Sequence, residues 1–555
     1  MTEPGAAVSP EGTLNTATTR PQALEGQANF SPSRAGTWPP EPDRARPPRV
    51  AAPLLLTACL ALLADALTRS TGGTLGMNLP VWVSVFMIAT LTVLQKARRS
   101  ANRAANQEAS RGASQQGMVL LGSALGLACL FVVRDAPPTL EFLNFMAFLL
   151  ALTLGVATLR FPDFHLASVI HMIGTAFMGM VNNLIGPFVV LERFPWQKLS
   201  LPASASKGWV TGALLTLPVL AVFGGLLASA DTSFAHLFTG LLNWEPGDLF
   251  TRALTLLLWS VFTGGLVYSA LLASGPVGHG SRGGKFARLG LTELGLPLGS
   301  LAGLFIVFLL VQLPYLLSGT LPDGLTFAEY IRKGFGELMT VAFLTLALLL
   351  GAHGLARPDI RQGAAYRALN LAVLAPLTLV ILSAANRWHL YHQAYGLSET
   401  RLLGAAFLTW IVACLGWLAY LLWRGDLRRF AYPALLMGLG TLWITTMLNP
   451  AAQITRNNIH RQTAAITNDL RSTPQQANAL ELLDLGADAV PLIVQNLDTL
   501  VPTCGPSANC LTRQDIINQL HDDYDTPRDP RAWNASYARA WRIVQQLPLP
   551  PPHGR

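Results

Sequence analysis

Charge is scarce in this sequence. Only 13% of its 555 residues are Asp, Glu, Lys or Arg, against about 25% in a soluble domain. Hydrophobic residues make up 51%, and mean hydropathy is +0.39. That leaves too few charges to wet a surface of this size, which excludes a chain of several soluble domains and points to a lipid bilayer. Cysteine is also scarce, and five in the whole chain exclude a disulfide framework. Familiar chemical motifs are missing. There is no Gly-x-x-x-x-Gly-Lys phosphate loop, no His-Glu-x-x-His pair and no Gly-x-Ser-x-Gly elbow. No internal repeat of the kind that builds many transporters is visible. No cofactor and no metal are expected.

What the chain has is long apolar runs. A bilayer core of about 30 Å needs roughly 20 apolar helical residues, and eleven runs qualify: 50–68, 75–95, 117–133, 139–159, 208–229, 249–273, 291–317, 335–355, 368–386, 400–423 and 430–449. Lipid obliges each to satisfy its own backbone hydrogen bonds, so they read as helices, and the runs do not alternate as barrel strands would. The expected fold is all-α: a polytopic membrane bundle over 50–450, a Pro/Ala/Ser/Gly-rich disordered cytoplasmic tail over 1–49, and a small helical extracytoplasmic domain over 451–555. Gly122/Gly126 and Gly299/Gly303 read as small-residue packing pairs. Asp65, inside the first run, reads as solvated near the outer boundary.

Lys and Arg orient the chain, because they gather on the cytoplasmic side. With the N-terminus inside, the inner loops (96–111, 160–207, 282–288, 357–367 and 424–429) hold 18 of them; the outer loops hold 5, namely Arg69, Arg134, Arg332, Lys333 and Arg387. Residues 161–191 strain this count, because no fixed charge lies between Asp163 and Glu192. A twelfth span there would invert every later loop, so the segment reads as an interfacial or re-entrant helix. Leu166, Val169, Ile170, Ile173, Phe177, Met180, Leu184 and Phe188 form its apolar stripe; His165, Ser168, Thr175, Gly179 and Asn182 form the opposite one.

Four short helices are expected in the C-terminal domain. Thr473-Pro474 reads as a start, Gly486 as a stop, Asp488 as a cap for a helix carrying Val490 and Ile493, and Thr512 with Asp515 as a capping box. Trp533, Tyr537, Trp541 and Val544 form a last amphipathic stripe. The domain is nearly neutral, with nine Arg and ten acids, so the net charge of +8 lies mainly in the inner loops. That argues for membrane orientation, with the lipid bilayer as partner, and against nucleic acid. Cys504 and Cys510 flank a short loop that an oxidising exterior would allow to close as a disulfide. Asn534-Ala-Ser536 matches the glycosylation triplet. Cys59, Cys129 and Cys414 lie within spans.

The segment Arg387-Trp-His-Leu-Tyr391-His-Gln-Ala-Tyr395-Gly-Leu-Ser-Glu399-Thr-Arg401 is similar to a signature of bacterial multi-pass membrane proteins, the DUF4153/DUF4173 families of unknown function. There a Tyr-Gly-Leu-Thr-Glu-x-Arg run opens a late span; here Ser398 keeps the hydroxyl. Leu227-Ala-Ser-Ala-Asp231, Gln312-Leu-Pro-Tyr315, Thr326-Phe-Ala-Glu329-Tyr330, Gly334-Phe335, Leu448-Asn449-Pro450 and Gly486-Ala-Asp-Ala-Val-Pro491 also fit, so the likeness covers roughly 205–500. It implies a multi-pass protein of the bacterial cell (inner) membrane and no activity.

The topology sends Asp231, Gln312, Tyr315, Glu329, Tyr330, Glu337, Arg387, His389, Tyr391, Tyr395, Glu399, Arg401 and Asn449 to the outer face. Polar groups beside spans are expensive and tend to be functional, so a shared outward site is one reading. The other is structural: Glu399 complementing a helix start, Tyr391, Tyr395 and Trp388 forming an aromatic belt, Asn449-Pro450 ending a helix. His389 and His392 could share a helix face as metal ligands. Three classes of function stay open: a non-enzymatic sensor, scaffold or envelope component; a transporter or channel for a small solute or ion; and a membrane-embedded enzyme with an outer-face site.

Overall fold

The computed structural model of the protein describes residues 48–69, 71–105, 114–160, 164–192, 216, 246–273, 289–318, 327–467, 479–500 and 512–548. The expected N-terminal tail (but for its last two residues), the run 208–229, Thr473-Pro474, Asp231, Cys504 and Cys510 lie outside them. The described residues form helices joined by turns and irregular stretches, with no strand among them and one isolated bridge between Leu289 and Ala356.

The membrane part is built from α1 (Pro48–Thr68), α2 (Asn78–Ala105), α3 (Gln115–Val133), α4 (Pro138–Thr158), α5 (Val169–Glu192), α6 (Pro246–Leu271), α7 (Leu291–Ser318), α8 (Phe327–Leu355), the short α9 (Pro358–Arg361), α10 (Ala364–Tyr395), α11 (Glu399–Arg424) and α12 (Ala431–Met447). Among the described residues ten helices, α2–α8 and α10–α12, are long and apolar enough to cross a membrane; α1 supplies a shorter apolar stretch, Ala52–Thr68. Several helices outrun the apolar stretch that announced them. α10 continues through Arg387 and His389 to Tyr395, because apolarity marks only what lipid must cover, while backbone hydrogen bonding carries on into polar surroundings.

Two apolar cores organise these helices. One joins α1–α4, α6 and Phe164; its centre is Trp82, stacked on Phe86 and packed against Trp259 and Phe262, with its indole N–H on Leu60 O at 3.1 Å. The other joins α7, α8, α10 and α11. α12 belongs to both: Tyr432 and Leu439 enter the first, Ala434 the second.

Direct contacts sort the helix ends into two faces, here termed foot and crown. At the foot, Ser114 before α3 binds Leu159 O and Thr158 O at the end of α4. Arg160 donates to Leu271 O and Ala273 O at the end of α6, each at 3.2 Å. Tyr432 at the start of α12 reaches Gln116 O, and His353 at the end of α8 lies against Tyr366 at the start of α10. At the crown, Glu399 meets Thr139 and Leu140 at the start of α4, and Arg387 meets Gln312 near the end of α7. α4 and α6 both end at the foot, so α6 starts at the crown.

The expected glycine pairs do not pack helices. Gly122, Gly299 and Gly303 face open space, and only Gly126 has a neighbour, Trp443 at 3.8 Å. Close approach occurs elsewhere. A Cβ at Gly117 would lie 2.9 Å from the Leu159 backbone, one at Gly179 would lie 2.7 Å from Thr153, and one at Gly265 would run into the backbone of Asn183. A spacing of four finds glycines but not the face that meets a neighbour. Asp65 is also corrected: it is 5% exposed and paired with Arg69 at 2.9 Å. Cys59 and Cys129 are exposed on their helices and Cys414 is buried.

The C-terminal domain contains α13 (Pro450–Thr467), α14 (Ala479–Leu483), α15 (Val490–Gln495), α16 (Leu497–Leu500), α17 (Arg513–Tyr524) and α18 (Ala535–Val544). Its core of Ile493, Ile516, Ile517, Leu520, Ala540 and Val544 also takes in Leu397, Ala451 and Ile454, so the domain is continuous with the crown. The Thr512/Asp515 capping box is present. α13, mostly polar, is an element the sequence reading lacked. In the final helix the buried positions are Ser536, Ala540 and Val544, while Trp533 is 41% exposed.

Candidate functional site

The polar residues expected at the outer face are grouped by the crown into separate pairs. Arg387, 7% exposed in the last turns of α10, donates to Gln312 Oε1 at 2.7 Å, and Gly334 is cut away beneath it, since a Cβ there would meet the guanidinium. Glu399 starts α11 but serves its neighbour: its carboxylate accepts from Leu140 N at 2.9 Å and Thr139 Oγ1 at 3.1 Å, at the positive end of the α4 dipole. Ser398 caps α11 itself. Arg401 donates to Gly396 O at 2.8 Å, and Trp388 Nε1 donates to Arg401 O at 2.9 Å.

Gly396 has φ +74°, a left-handed turn that favours glycine. A Cβ there would also meet Arg461 and Asn458 of α13. Next to it Leu397 N–H donates to Asn457 and Asn458, and Asn458 Nδ2 returns a bond to Leu397 O at 3.0 Å. The Tyr-Gly-Leu-Ser-Glu stretch is thus a turn clasped by the C-terminal domain. His389 bonds Gln393, whereas His392 stacks on Trp388 with its Nδ1 buried and unpartnered. Burial holds the His392 ring below the ordinary histidine value, and the nearby charge of Arg461 adds to that. Among the described residues no group of three or more His, Cys, Asp or Glu could hold a metal ion. Glu337 is exposed on α8. Tyr315, Glu329, Tyr330, Tyr391 and Tyr395 lie on α7, α8 and α10, and Asp231 is outside the described residues.

The densest polar cluster among the described residues centres on Asp488, expected to cap a helix. Asp488 caps nothing; Ala489 occupies that position without a side-chain bond. Asp488 is 5% exposed and gathers four donors: Ser536 Oγ at 2.6 Å, Asn449 Nδ2 at 3.2 Å, Asp135 N at 3.3 Å and Arg134 Nη1 at 3.5 Å. Arg134 also donates to Met447 O. Asp135 accepts from Ala487 N at 2.8 Å and pairs with Arg528, whose guanidinium lies 4.1 Å from the Tyr537 ring centroid. Asn534 Nδ2 bonds Phe131 O and Arg134 O, and Asn534 is 3% exposed, so the glycosylation triplet is closed to modification. Asn449, at φ +57°, makes the sharp turn from α12 into α13. Beside this hub a cleft of about 280 Å³, part of it open to solvent, is lined by Arg134, Asp135, Glu141, Asn144, Thr446 and Asn534.

Two sequence signals could have found the hub: the Arg134-Asp135 pair isolated between two apolar runs, and Asp488 inside the Gly486–Pro491 piece. The family comparison covers both. The model of DUF4153, a domain of unknown function, matches residues 121–496. The chain belongs to the DUF4153 family. The match begins far upstream of the 205 read from the motifs and takes in α3, α4 and the Arg134-Asp135 turn. It is thus the DUF4153 region itself that holds Arg134, Asp135, Glu399, Asn449 and Asp488. No curated protein and no solved structure matches the chain.

Proposed function

We propose that this DUF4153 protein is a non-enzymatic envelope component of a bacterial cell membrane, a scaffold or sensor whose working part is the C-terminal domain clamped on the crown. The foot faces the cytoplasm and the crown faces outward, as the Lys and Arg distribution supports. The observation that carries the reading is the use made of the signature residues. Glu399 binds the end of α4, Gly396-Leu397 binds α13, and Asn449 and Arg134 bind Asp488. Each joins the membrane helices to one another or to the C-terminal domain. Polar groups organised this way give a rigid, outward-presented surface.

The test uses the full chain in reconstituted vesicles. Wild type and Asp488→Ala are compared for protease release of the C-terminal domain and, separately, for flux of inorganic ions and small solutes. The scaffold reading expects faster release from the variant and no saturable flux from either protein. Saturable flux that Asp488→Ala abolishes would replace this reading with transport.

A further inference from the structure

We infer that α5 does not cross the membrane but lies in the leaflet on the foot side, its outward stripe among lipid acyl chains. Contacts fix where α5 sits. Gly179 packs on Thr153 and Ala157, in the last two turns of α4. Asn183 bonds Thr153 and Ser269 and lies against Gly265, while Gly186 and Pro187 meet Tyr268 and Gly264, all in the last turns of α6.

Helix length then decides how far α5 reaches. Glu192 is five residues past Pro187, about 8 Å at 1.5 Å per residue, whereas Gly264 is 18 residues, about 27 Å, from the crown end of α6. α5 therefore stops roughly 20 Å short of the crown. Its other end is held at the foot, because His165 just before it meets Gln116 at the start of α3. If α5 instead stood upright, Ile170 would project about 14 Å foot-ward of Gly179 and put an apolar stripe (Ile170, Ile173, Phe177) that is 62–81% exposed into water. Tilted into the leaflet, the same stripe meets hydrocarbon, and Thr175 and Gly179, both buried, face the protein.

The experiment uses the full chain with its five cysteines replaced by alanine, reconstituted in phosphatidylcholine–phosphatidylglycerol vesicles. Glu192→Cys at the end of α5, Gln362→Cys (foot) and Thr74→Cys (crown, beside Gly76, which packs on Ala532 of the C-terminal domain) are labelled with a membrane-impermeant maleimide. Gln362 and Thr74 must react from opposite sides, which shows that the fold is intact. Position 192 is expected to react from the same side as 362; reaction from the side of 74 would overturn the inference. Because sides are compared only with each other, the outcome is independent of which face is cytoplasmic. Separately, a bimane on Phe177→Cys should be quenched by nitroxide-bearing lipids; protection from them with cross-linking to a second copy would replace lipid with another chain as the occupant of this stripe.

Discussion

At the residue scale the crown hub shows how a carboxylate persists at the edge of a bilayer. Asp488 is almost buried, a costly place for a charge unless donors surround it. Four donors from three separate stretches of chain do so. Asp488→Ala leaves Arg134 facing a void, and breaking a buried pair costs about 3 kcal/mol; the C-terminal domain should become protease-sensitive well before the helices do. Asp488→Asn keeps the shape but loses the charge and should be milder. His392 sets a pH limit. Its ring is held neutral in the folded protein by burial, so the unfolded chain takes up a proton first as pH falls. Stability contributed at this site is full above about pH 6.5 and declines below it, down to the lowered folded value. Thermal melts of wild type and His392→Gln should run parallel above that pH and diverge below it, with the wild type losing more.

At the element scale, two helices meet where the chain can remove side chains. Gly265 against Asn183 is the tightest approach to another helix's backbone among the described residues, bringing α5 onto α6. Gly265→Leu should lower thermostability in detergent and free α5, which hydrogen exchange over 169–192 would report. Gly299→Leu, at a glycine facing open space, should change neither. The comparison separates glycines that permit backbone contact from glycines that merely sit in an apolar helix. Helix boundaries obey a similar division. Run length gave α3 and α4 to within two residues, because Ser114 and Pro138 begin them at the water boundary. It cut α10 short, because the helix continues into a polar region where only Gly396 ends it.

At the scale of the whole molecule, alternation of helix ends between foot and crown orders all the described membrane helices except α5. It leads to the C-terminal domain docked at the crown through Leu397, Ala451 and Ile454. A phosphatase reporter joined after Arg555 should be active outside the cell, and one joined after Gln362 should be inactive; the reverse pattern would invert the proposed orientation. Composition placed this chain in a membrane, because 13% charge cannot wet its surface; its long non-alternating apolar runs made it helical, and the Tyr-Gly-Leu-Ser-Glu stretch pointed to its family. Partners separated by hundreds of residues were decided only in three dimensions. Arg134 and Asp488, or Glu399 and Leu140, carry no mutual signal in one sequence. Hydrophobic periodicity says which residues avoid water, whereas the bond a polar residue makes depends on which helix end the fold brings beside it.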